Sequence, residues 1–512
     1  MTKLLEIQIK RNKGVIFSVV GILASSLFTT FDSSVYAQTQ IGQDIDGESA
    51  GNFSGHSISL NQDGSTVAIA AIGNTDIGTN AGQVKVYSFT DDIWNQKGSD
   101  LNGNTLDNLG ASVSLSNDGN IIAIGAPQVT LKENLNGYVR LLRYDNGAWS
   151  QIGRDIIGES PGDQCGMSVS LSGDGNTIAV GARNNSGNGQ YAGHVRVYTN
   201  LNGDWTQVGS DIDGESAGDH SGWRISLSSD GNIVAIGANR NSDGGNSAGH
   251  VRVYKNMGGR WTKLGSDIDG LNEGDASGSS VSLSSDGTVL AIGSPNNSGA
   301  RSLAGRVRVF KYKNETWTQL GTDIEGEAVG EHFGWSVSLN DSGSLIAIGA
   351  IANNDNGNWA GQVRLYKYKN DIWNQIGSNI NGEGDNDQFG GSVSLSGCGN
   401  TLAIGAQYND GNGTNAGHVR VYDIFGIPTK QDSIVTSFIQ VYPNPILNEI
   451  SIEVDSSLIG TSFIFYNAKA QVVFEGQIAS NRNSLEVEHL AAGVYVLQFG
   501  IDLECRLKVI KF

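Results

Sequence analysis

Short runs of apolar residues recur along the chain at a nearly fixed spacing and are separated by polar turns. The clearest marker is a turn glycine, and it recurs 55 residues apart once and 56 residues apart thereafter, at Gly64, Gly119, Gly175, Gly231, Gly287, Gly343 and Gly399. In each repeat this glycine ends a phrase similar to "GMSVSLSGDG". Two further apolar phrases follow it, similar to "NIVAIGA" and then "AGHVRVY". These phrases alternate or are wholly apolar and are rich in Val and Ile, which predicts β-strands.

A fourth strand-like phrase completes each repeat and opens with tryptophan in six of them, at Trp94, Trp149, Trp205, Trp261, Trp317 and Trp373. Four antiparallel strands in a repeat of this length are typical of a β-propeller blade. The Asp-Gly that follows the first strand favours a tight hairpin turn. Residues 38–423 are therefore predicted to form an all-β, seven-bladed propeller.

The seventh repeat ends at "AGHVRVYDIFG", before its tryptophan strand. The missing piece has a counterpart at the other end of the propeller sequence, where "QTQIGQDIDG" (38–47) resembles "WTQVGSDIDG" (205–214). We therefore predict that this N-terminal strand completes the last blade and closes the ring. Closure of this kind removes the free sheet edges that invite aggregation.

A cation and a carboxylate also recur once per repeat. The third strand carries Lys85, Arg140, Arg196, Arg252, Arg308, Arg364 and Arg420. The fourth carries Asp44, Asp100, Asp155, Asp211, Asp267 and Asp323, with Asn379 in the remaining repeat. Because the two strands are neighbours, we predict one structural ion pair in each blade, with Arg420 reaching Asp44 across the closure.

The first 37 residues predict a secretory signal peptide. Lys10, Arg11 and Lys13 precede an apolar run at 14–31, and "VYA" ends at Ala37. We expect no transmembrane anchor in the mature chain. The formal net charge of −19 disfavours nucleic acid and anionic lipid as partners.

Two phrases, "FGWSVSLN" (333–340) and "FGGSVSLS" (389–396), together with "IGAP" (124–127), resemble the FG-GAP repeats of integrin α-subunit propellers. Members of that family often bind Ca²⁺ in an Asp-rich loop between the first two strands. Here that connection is only "SSDG" or a similar turn, too short to supply six or more oxygen ligands. We therefore carry over no metal ligand from that family, and we expect no metal site and no cofactor.

The end of the chain loses the repeat. After a linker at 424–437, the motifs "VYPNP" (441–445), "FIFYNAKAQVV" (463–473) and "LAAGVYVLQF" (490–499) resemble the C-terminal sorting domain of type IX secretion in bacteria of the Bacteroidetes kind. One departure is Ala470, where that family usually has glycine. The resemblance implies a small β-sandwich at 438–512, handling by the type IX machinery, and a secreted or outer-surface location.

Binding residues are expected on the propeller face that holds the long loops between strands two and three. Candidate ligand-binding residues there are Asp76, Tyr191, Asp243, Asp355, Trp359 and Asp410. The crossings between blades share this face and are acidic, with Glu159, Asp163, Glu215, Asp219, Asp275, Glu331 and Asp387. These acids are predicted to surround the mouth of the central channel, either to capture a cation or basic partner or as a solvated rim.

Histidines give two further sets. His194, His250 and His418 share one repeat position and are interpreted as strand ends; His56, His220 and His332 lie near the predicted channel mouth. No nucleophile, zinc or phosphate-loop motif is found in the sequence, so we predict that the protein is not an enzyme. The favoured function is a cell-surface or secreted module that binds an extracellular glycan or protein. A structural surface protein and a polysaccharide-active enzyme remain as alternatives.

Overall fold

The computed structural model describes residues 38–127, 136–299, 301–425, 439–442, 449–454, 459–460, 462–467, 472–499 and 506–511. The predicted signal peptide at 1–37 and most of the predicted linker at 424–437 lie outside them. Within the described residues all regular secondary structure is β-strand.

Residues 38–425 form seven antiparallel sheets, one for each repeat; the main strands follow sequence order across six of them, and in the last the N-terminal strand takes the outer position. The first strands are Ser54–Leu60, Ser112–Leu115, Cys165–Leu171, Arg224–Leu227, Ser280–Leu283, Phe333–Leu339 and Ser392–Leu395. The second strands are Thr66–Ala71, Ile121–Ala126, Thr177–Ala182, Ile233–Ala238, Val289–Ser294, Leu345–Ala350 and Thr401–Ala406. The third strands are Gln83–Thr90, Tyr138–Asp145, His194–Leu201, His250–Asn256, Arg306–Lys313, Gln362–Lys369 and His418–Asp423. We number these sheets blades one to seven in this order.

The fourth strands lie at the outer edge of each blade. They are Ile93–Gln96, Ala148–Gln151, Asp204–Gln207, Trp261–Lys263, Thr316–Gln319, Ile372–Asn381 and, in blade seven, Thr39–Gln40. Short strands beside them pair with the start of the third strand, namely Leu101–Asn102, Ile156–Ile157, Ile212–Asp213, Ile268–Asp269, Ile324–Glu325 and Ile45–Asp46. First strands of adjacent blades contact one another all the way round, so they surround the centre of the ring. The predicted seven-bladed propeller is confirmed.

The N-terminal segment closes the ring as predicted. Thr39 pairs with Asp423, and Ile45 pairs with Val419, both in antiparallel register. Gln38 stands where the other blades have tryptophan, and its Nε2 donates a hydrogen bond to the Ile376 carbonyl at 3.1 Å. The tryptophans make the same kind of contact with the preceding blade, as in the 3.0 Å bond from Trp205 Nε1 to the Ile152 carbonyl.

Serine hydroxyls join the first strands of neighbouring blades. The Leu115 N–H donates to Ser59 Oγ at 3.0 Å, and an equivalent bond occurs at every blade boundary. The other six bonds, all 2.9–3.0 Å, are Leu171 to Ser114, Leu227 to Ser170, Leu283 to Ser226, Leu339 to Ser282, Leu395 to Ser338 and Leu60 to Ser394. This closed set, which we call the serine ring, explains why the phrase "SL" recurs in every repeat.

The apolar core of the propeller lies between blades rather than within one. One buried cluster, for example, combines Val195 and Val197 of blade three with Ile225 and Ile236 of blade four. Second strands are buried almost along their whole length because both of their faces pack against a neighbouring blade. Burial on both faces accounts for their nearly continuous apolar sequence.

The Asp-Gly turns between strands one and two are short and internally bonded. In blade two, Asp118 Oδ1 accepts hydrogen bonds from Ser116 Oγ at 2.6 Å and from the Asn120 N–H at 3.0 Å. Gly119 has a φ of 65°, which glycine adopts without strain. The turn carboxylate is thus used within the turn itself.

The C-terminal region contains two antiparallel sheets. One has the strands Ile439–Tyr442, Glu449–Val454 and Arg482–Glu486, and the other has Ser462–Asn467, Val472–Gln477, Gly493–Phe499 and Arg506–Lys511. Buried residues from both sheets, such as Ile452 and Phe465, share one apolar cluster.

Replacing Ser394 by alanine tests the serine ring. The change leaves the Leu60 N–H without its side-chain acceptor, so we expect the free energy of unfolding to fall by about 1–2 kcal/mol. Ser210→Ala is the matched control, since Ser210 is exposed, and a change within about 0.5 kcal/mol is expected there. Urea unfolding measures both variants, and equal losses would argue against a stabilising ring.

Candidate functional site

The structure places the repeated arginines mainly against the crossing that enters their own blade. Glu159 lies 3.6 Å from Arg196, and Glu215 lies 3.4 Å from Arg252. At the equivalent positions Glu48 contacts Lys85, Glu383 contacts Arg420 and Glu327 lies 4.0 Å from Arg364. These glutamates, two of which were predicted at the channel mouth, are therefore partners of the structural cations.

The predicted pairing within each blade is correspondingly incomplete. Three of the predicted pairs do form: Arg140 meets Asp155 at 2.9 Å, Arg420 meets Asp44 at 3.2 Å, and Lys85 lies 3.6 Å from Asp100. Arg196, Arg252 and Arg308 instead donate to main-chain carbonyls of the preceding blade, at Ile157, Asp213 and Asp269 respectively. The corresponding aspartates have other cationic or imidazole neighbours, with Asp211 facing His194, Asp267 facing Lys263 and Asp323 facing Arg306. The prediction is corrected accordingly: most of these arginines join neighbouring blades.

The predicted ring of carboxylates at the channel mouth also needs correction. Five of its members are only 0–3% exposed, namely Asp163, Asp219, Asp275, Glu331 and Asp387. Asp163 accepts the Ser160 N–H at 2.9 Å and the Asn185 side-chain amide at 3.0 Å. Asp219, Glu331 and Asp387 make the same two kinds of contact. Four of these acids tie a crossing to a long loop, Asp275 bonds within its crossing, and none of the five belongs to an exposed rim.

Two glutamates that share Arg364 give a test of this assignment. Glu331 is fully buried and lies 2.7 Å from Arg364, whereas the Glu327 side chain is 62% exposed and lies 4.0 Å away. We expect Glu331→Gln to cost about 3–5 kcal/mol of unfolding free energy because it removes the buried carboxylate that faces the buried Arg364 guanidinium. Glu327→Gln, the control, should cost less than about 1 kcal/mol. Chemical denaturation compares them, and similar losses would contradict the structural role of Glu331.

The predicted loop residues fall into two groups. Tyr191 and Trp359 are 46% and 38% exposed, and their φ angles of 57° and 56° lie in the left-handed region. Tyr191 stacks on His220 with 5.9 Å between ring centroids. The aspartates instead organise the loops, mainly through bonds between neighbouring loop residues, at Asp76, Asp243, Asp355 and Asp410.

A cleft of about 470 Å³ opens at the rim of the central channel, on the long-loop face. Blades four to six form it, and its lining includes Trp223, Arg224, Arg240, Ser279, Asn296 and Trp335. Trp335 is 45% exposed, so its ring is available to a ligand. The side chains that line the cleft include no carboxylate.

The cleft lies where the repeat is broken. Arg224 occupies a position that is serine in the other six blades, at Ser57, Ser112, Ser168, Ser280, Ser336 and Ser392. In blade five that serine donates to the Gly334 carbonyl of the next blade at 2.8 Å. Arg183 and Arg240 are also the only arginines at their repeat positions. Blades three and four thus carry three cations that the scaffold does not require elsewhere.

Geometry and electrostatics make this a cationic site, which we call the arginine cleft: Arg224, Arg240, Trp223 and Trp335 line it, and Arg183 packs on Trp223. The Arg183 guanidinium lies over the Trp223 ring at 4.4 Å. Burial, together with repulsion from Arg224 and Arg240, lowers the pKa of Arg183 to about 10. Within the described residues, none of the three arginines has a carboxylate partner within 4.0 Å.

Two histidines near the arginine cleft stay neutral. Burial is the main cause that lowers the pKa of His56, and the charge of Arg224 lowers it further. His56 Nδ1 lies 2.6 Å from Gln407 Oε1. Burial, followed by Arg240 and Arg183, lowers the pKa of His220. Both imidazoles are therefore uncharged at neutral pH, and the positive charge of the site comes from the three guanidinium groups.

Family models match two segments of the chain. Residues 440–510 match the model of a secretion system C-terminal sorting domain, and residues 381–422 match the model of an FG-GAP repeat. The chain is a β-propeller with an FG-GAP repeat and a type IX sorting domain. The sorting domain indicates export to the outer cell surface or secretion.

Solved structures with a similar fold include two lactonase-type proteins. A putative 6-phosphogluconolactonase from Bacteroides uniformis is 12% identical, with a TM-score of 0.44 over 64% of this chain and 86% of that chain. A periplasmic gluconolactonase from Pseudomonas aeruginosa is 14% identical, with a TM-score of 0.46 over 82% and 99% of the respective chains. No curated protein matches the chain. Among the described residues, none lies in a helix that could cross a membrane.

Proposed function

We propose that this exported propeller is a binding module whose arginine cleft takes an acidic polysaccharide. The observation that carries the proposal is the group of three arginines without a carboxylate partner among the described residues, in a chain of net charge −19. Elsewhere in the propeller, arginines at the blade boundaries are matched by glutamates. Planar guanidinium groups bind carboxylate and sulfate in two-pronged geometry, which makes uronate or sulfated sugars suitable ligands.

The remaining residues of the cleft support a sugar as the ligand. Trp223 and Trp335 both line the cleft, and the exposed ring of Trp335 offers a face on which a sugar ring can stack. Asn239, Asn296 and Ser279 provide hydrogen-bonding groups for hydroxyls. The cleft's volume is within the range of ordinary ligand pockets.

The lining of the cleft favours binding over hydrolysis. Glycoside hydrolysis typically needs two carboxyl groups flanking the scissile bond, and no carboxylate side chain lines this cleft. The prediction that the protein is not an enzyme remains a proposal. Export fits a ligand that occurs outside the cell, such as a matrix or cell-wall polysaccharide.

Arg224→Ser tests the proposal, because it installs the residue that the other six blades carry and should therefore fold normally. Isothermal titration with polygalacturonate and dextran sulfate should show binding to the wild type that weakens with added salt. We expect Arg224→Ser to bind at least about tenfold more weakly, consistent with loss of a charged hydrogen bond. Arg143→Ser, at an exposed position of the third strand of blade two, is the control and should bind like the wild type.

Neutral dextran and polyglutamate complete the design. Binding of neutral dextran as tightly as the acidic polymers would contradict the role of the arginines. Preferential binding of polyglutamate would contradict the proposal that the ligand is a polysaccharide and would indicate that the cleft binds an acidic protein segment. Unchanged affinity in Arg224→Ser would remove the cleft from the binding surface.

A further inference from the structure

The first residue of the third strand faces a cluster of oxygen atoms in every blade. In four blades that residue is a hydrogen-bond donor that fills the cluster. Gln83 donates to Asp100 and Asn102, both at 3.2 Å, and Gln362 donates to Asp355 and Asn381, both at 2.8 Å. Tyr138 donates to Asp107, and Arg306 bonds Asp323 and Glu325 at 3.0 Å each. A side chain therefore satisfies these carboxylates in blades one, two, five and six.

Blades three, four and seven have histidine at this position, and the histidines do not make the corresponding hydrogen bonds. Neither ring nitrogen of His194 or His250 has a hydrogen-bond partner, and Nε2 of His418 has none. All three side chains are at most 2% exposed. A buried polar group left without a partner is costly, so these rings point to something further that completes them.

The unpaired imidazoles face carboxylates at a spacing that leaves room for an ion. His194 Nδ1 lies 3.5 Å from Asp211 and 3.9 Å from Glu159. His418 Nδ1 lies 3.6 Å from Asp44 and 4.0 Å from Asp46.

Blade four has the same histidine with a different pair of carboxylates. His250 Nδ1 lies 4.0 Å from Glu215, and these two residues group with Asp243 of the long loop. Asp269 lies 3.9 Å from the same ring nitrogen. In each of the three groups, three ligand atoms converge to within 4.8 Å of one another.

We propose that these three clusters, which share the histidine position but take their carboxylates from different parts of the blade, each bind a divalent transition cation of the zinc class. One imidazole nitrogen and two carboxylate oxygens form a ligand set that suits zinc and leaves a fourth position for water. A tetrahedral ion with bonds of about 2.0–2.2 Å holds its ligand atoms roughly 3.3–3.6 Å apart, close to the shortest spacings found here. Calcium fits less well, because it takes six or more oxygen ligands.

The free carboxylate oxygen in blade four supports this assignment. The neighbouring arginine there takes only part of the carboxylate capacity. In blade four, Arg252 lies 3.4 Å from Glu215 Oε1, while Oε2 of the same group faces His250.

These sites are separate from the arginine cleft and from the Asp-Gly turns. Each histidine lies at the start of a third strand. Its carboxylate neighbours come from the preceding crossing, from the adjoining short strand or the residues just before it, or from the long loop. In blades three and four, a bound ion would link the third strand to the crossing from the preceding blade, because Glu159 and Glu215 belong to those crossings. In blade seven it would bind the closing N-terminal segment to the third strand.

Histidine-to-glutamine variants test the proposal, because glutamine is the residue that blades one and six already use at this position. Full-length protein, stripped with chelator, is titrated with Co²⁺ and Zn²⁺, and bound metal is counted by elemental analysis and cobalt absorption. The wild type should bind up to three equivalents, His250→Gln one fewer, and the triple variant of His194, His250 and His418 none at these sites. Zinc should raise the melting temperature of the wild type but not of the triple variant.

His332→Gln is the matched control. Its Nδ1 faces the Pro295 carbonyl at 3.2 Å and belongs to none of the three clusters, so its metal count should equal that of the wild type. Absence of bound metal in a folded wild type would overturn the proposal, as would an unchanged count in His250→Gln. The single variants decide the question even if the triple variant fails to fold.

Discussion

The first strand of each blade presents an edge that no strand of its own sheet covers, and its amides need acceptors. The serine ring supplies them, with one hydroxyl from each blade accepting the leucine N–H of the next. Seven such bonds link seven blades, so the ring works only when the last blade meets the first. Since each hydrogen bond is worth about 0.5–1.5 kcal/mol, the set is a sizeable part of a marginal total stability.

Outside this ring, tryptophan indoles and ion pairs also connect each blade to its neighbour. Each indole donates to a carbonyl of the preceding blade, and Gln38 takes over that contact where the chain closes. The repeated residues are therefore those that face a neighbouring blade. This constraint leaves the long loops and the rim of the channel free to vary, and the candidate sites lie there.

The fold was predictable because the period of 55 or 56 residues and the missing tryptophan strand fix the number of blades and the way the ring closes. The ion-pair partners of the repeated arginines were not predictable in this way. The arginine in strand three was matched by sequence proximity to an aspartate of its own blade, whereas the folded protein brings Glu159 and Glu215 against it from the preceding crossing. Asp163 and Asp219 looked like rim residues, yet they are buried because loop asparagines cover them.

The arginine cleft was missed for a different reason. Its signal is present in the aligned repeats, where Arg224 replaces a serine found in all other blades, but a repeat pattern predicts the shared positions and not the function of a single departure from it. Its positive charge became evident only when Arg183 of blade three and Arg240 of blade four were placed beside Arg224. A symmetric scaffold with a local break in symmetry is the physical arrangement on which the account of function depends.

Hydrogen–deuterium exchange with and without polygalacturonate tests most directly whether ligand binding lies at that break. We expect slower exchange only in the segments around Trp223 and Arg224, Arg240 and Trp335. The exchange rates of the serine-ring amides in the other blades should stay unchanged. Protection on the opposite face, at the Asp-Gly turns, or protection spread equally over all seven blades would contradict it.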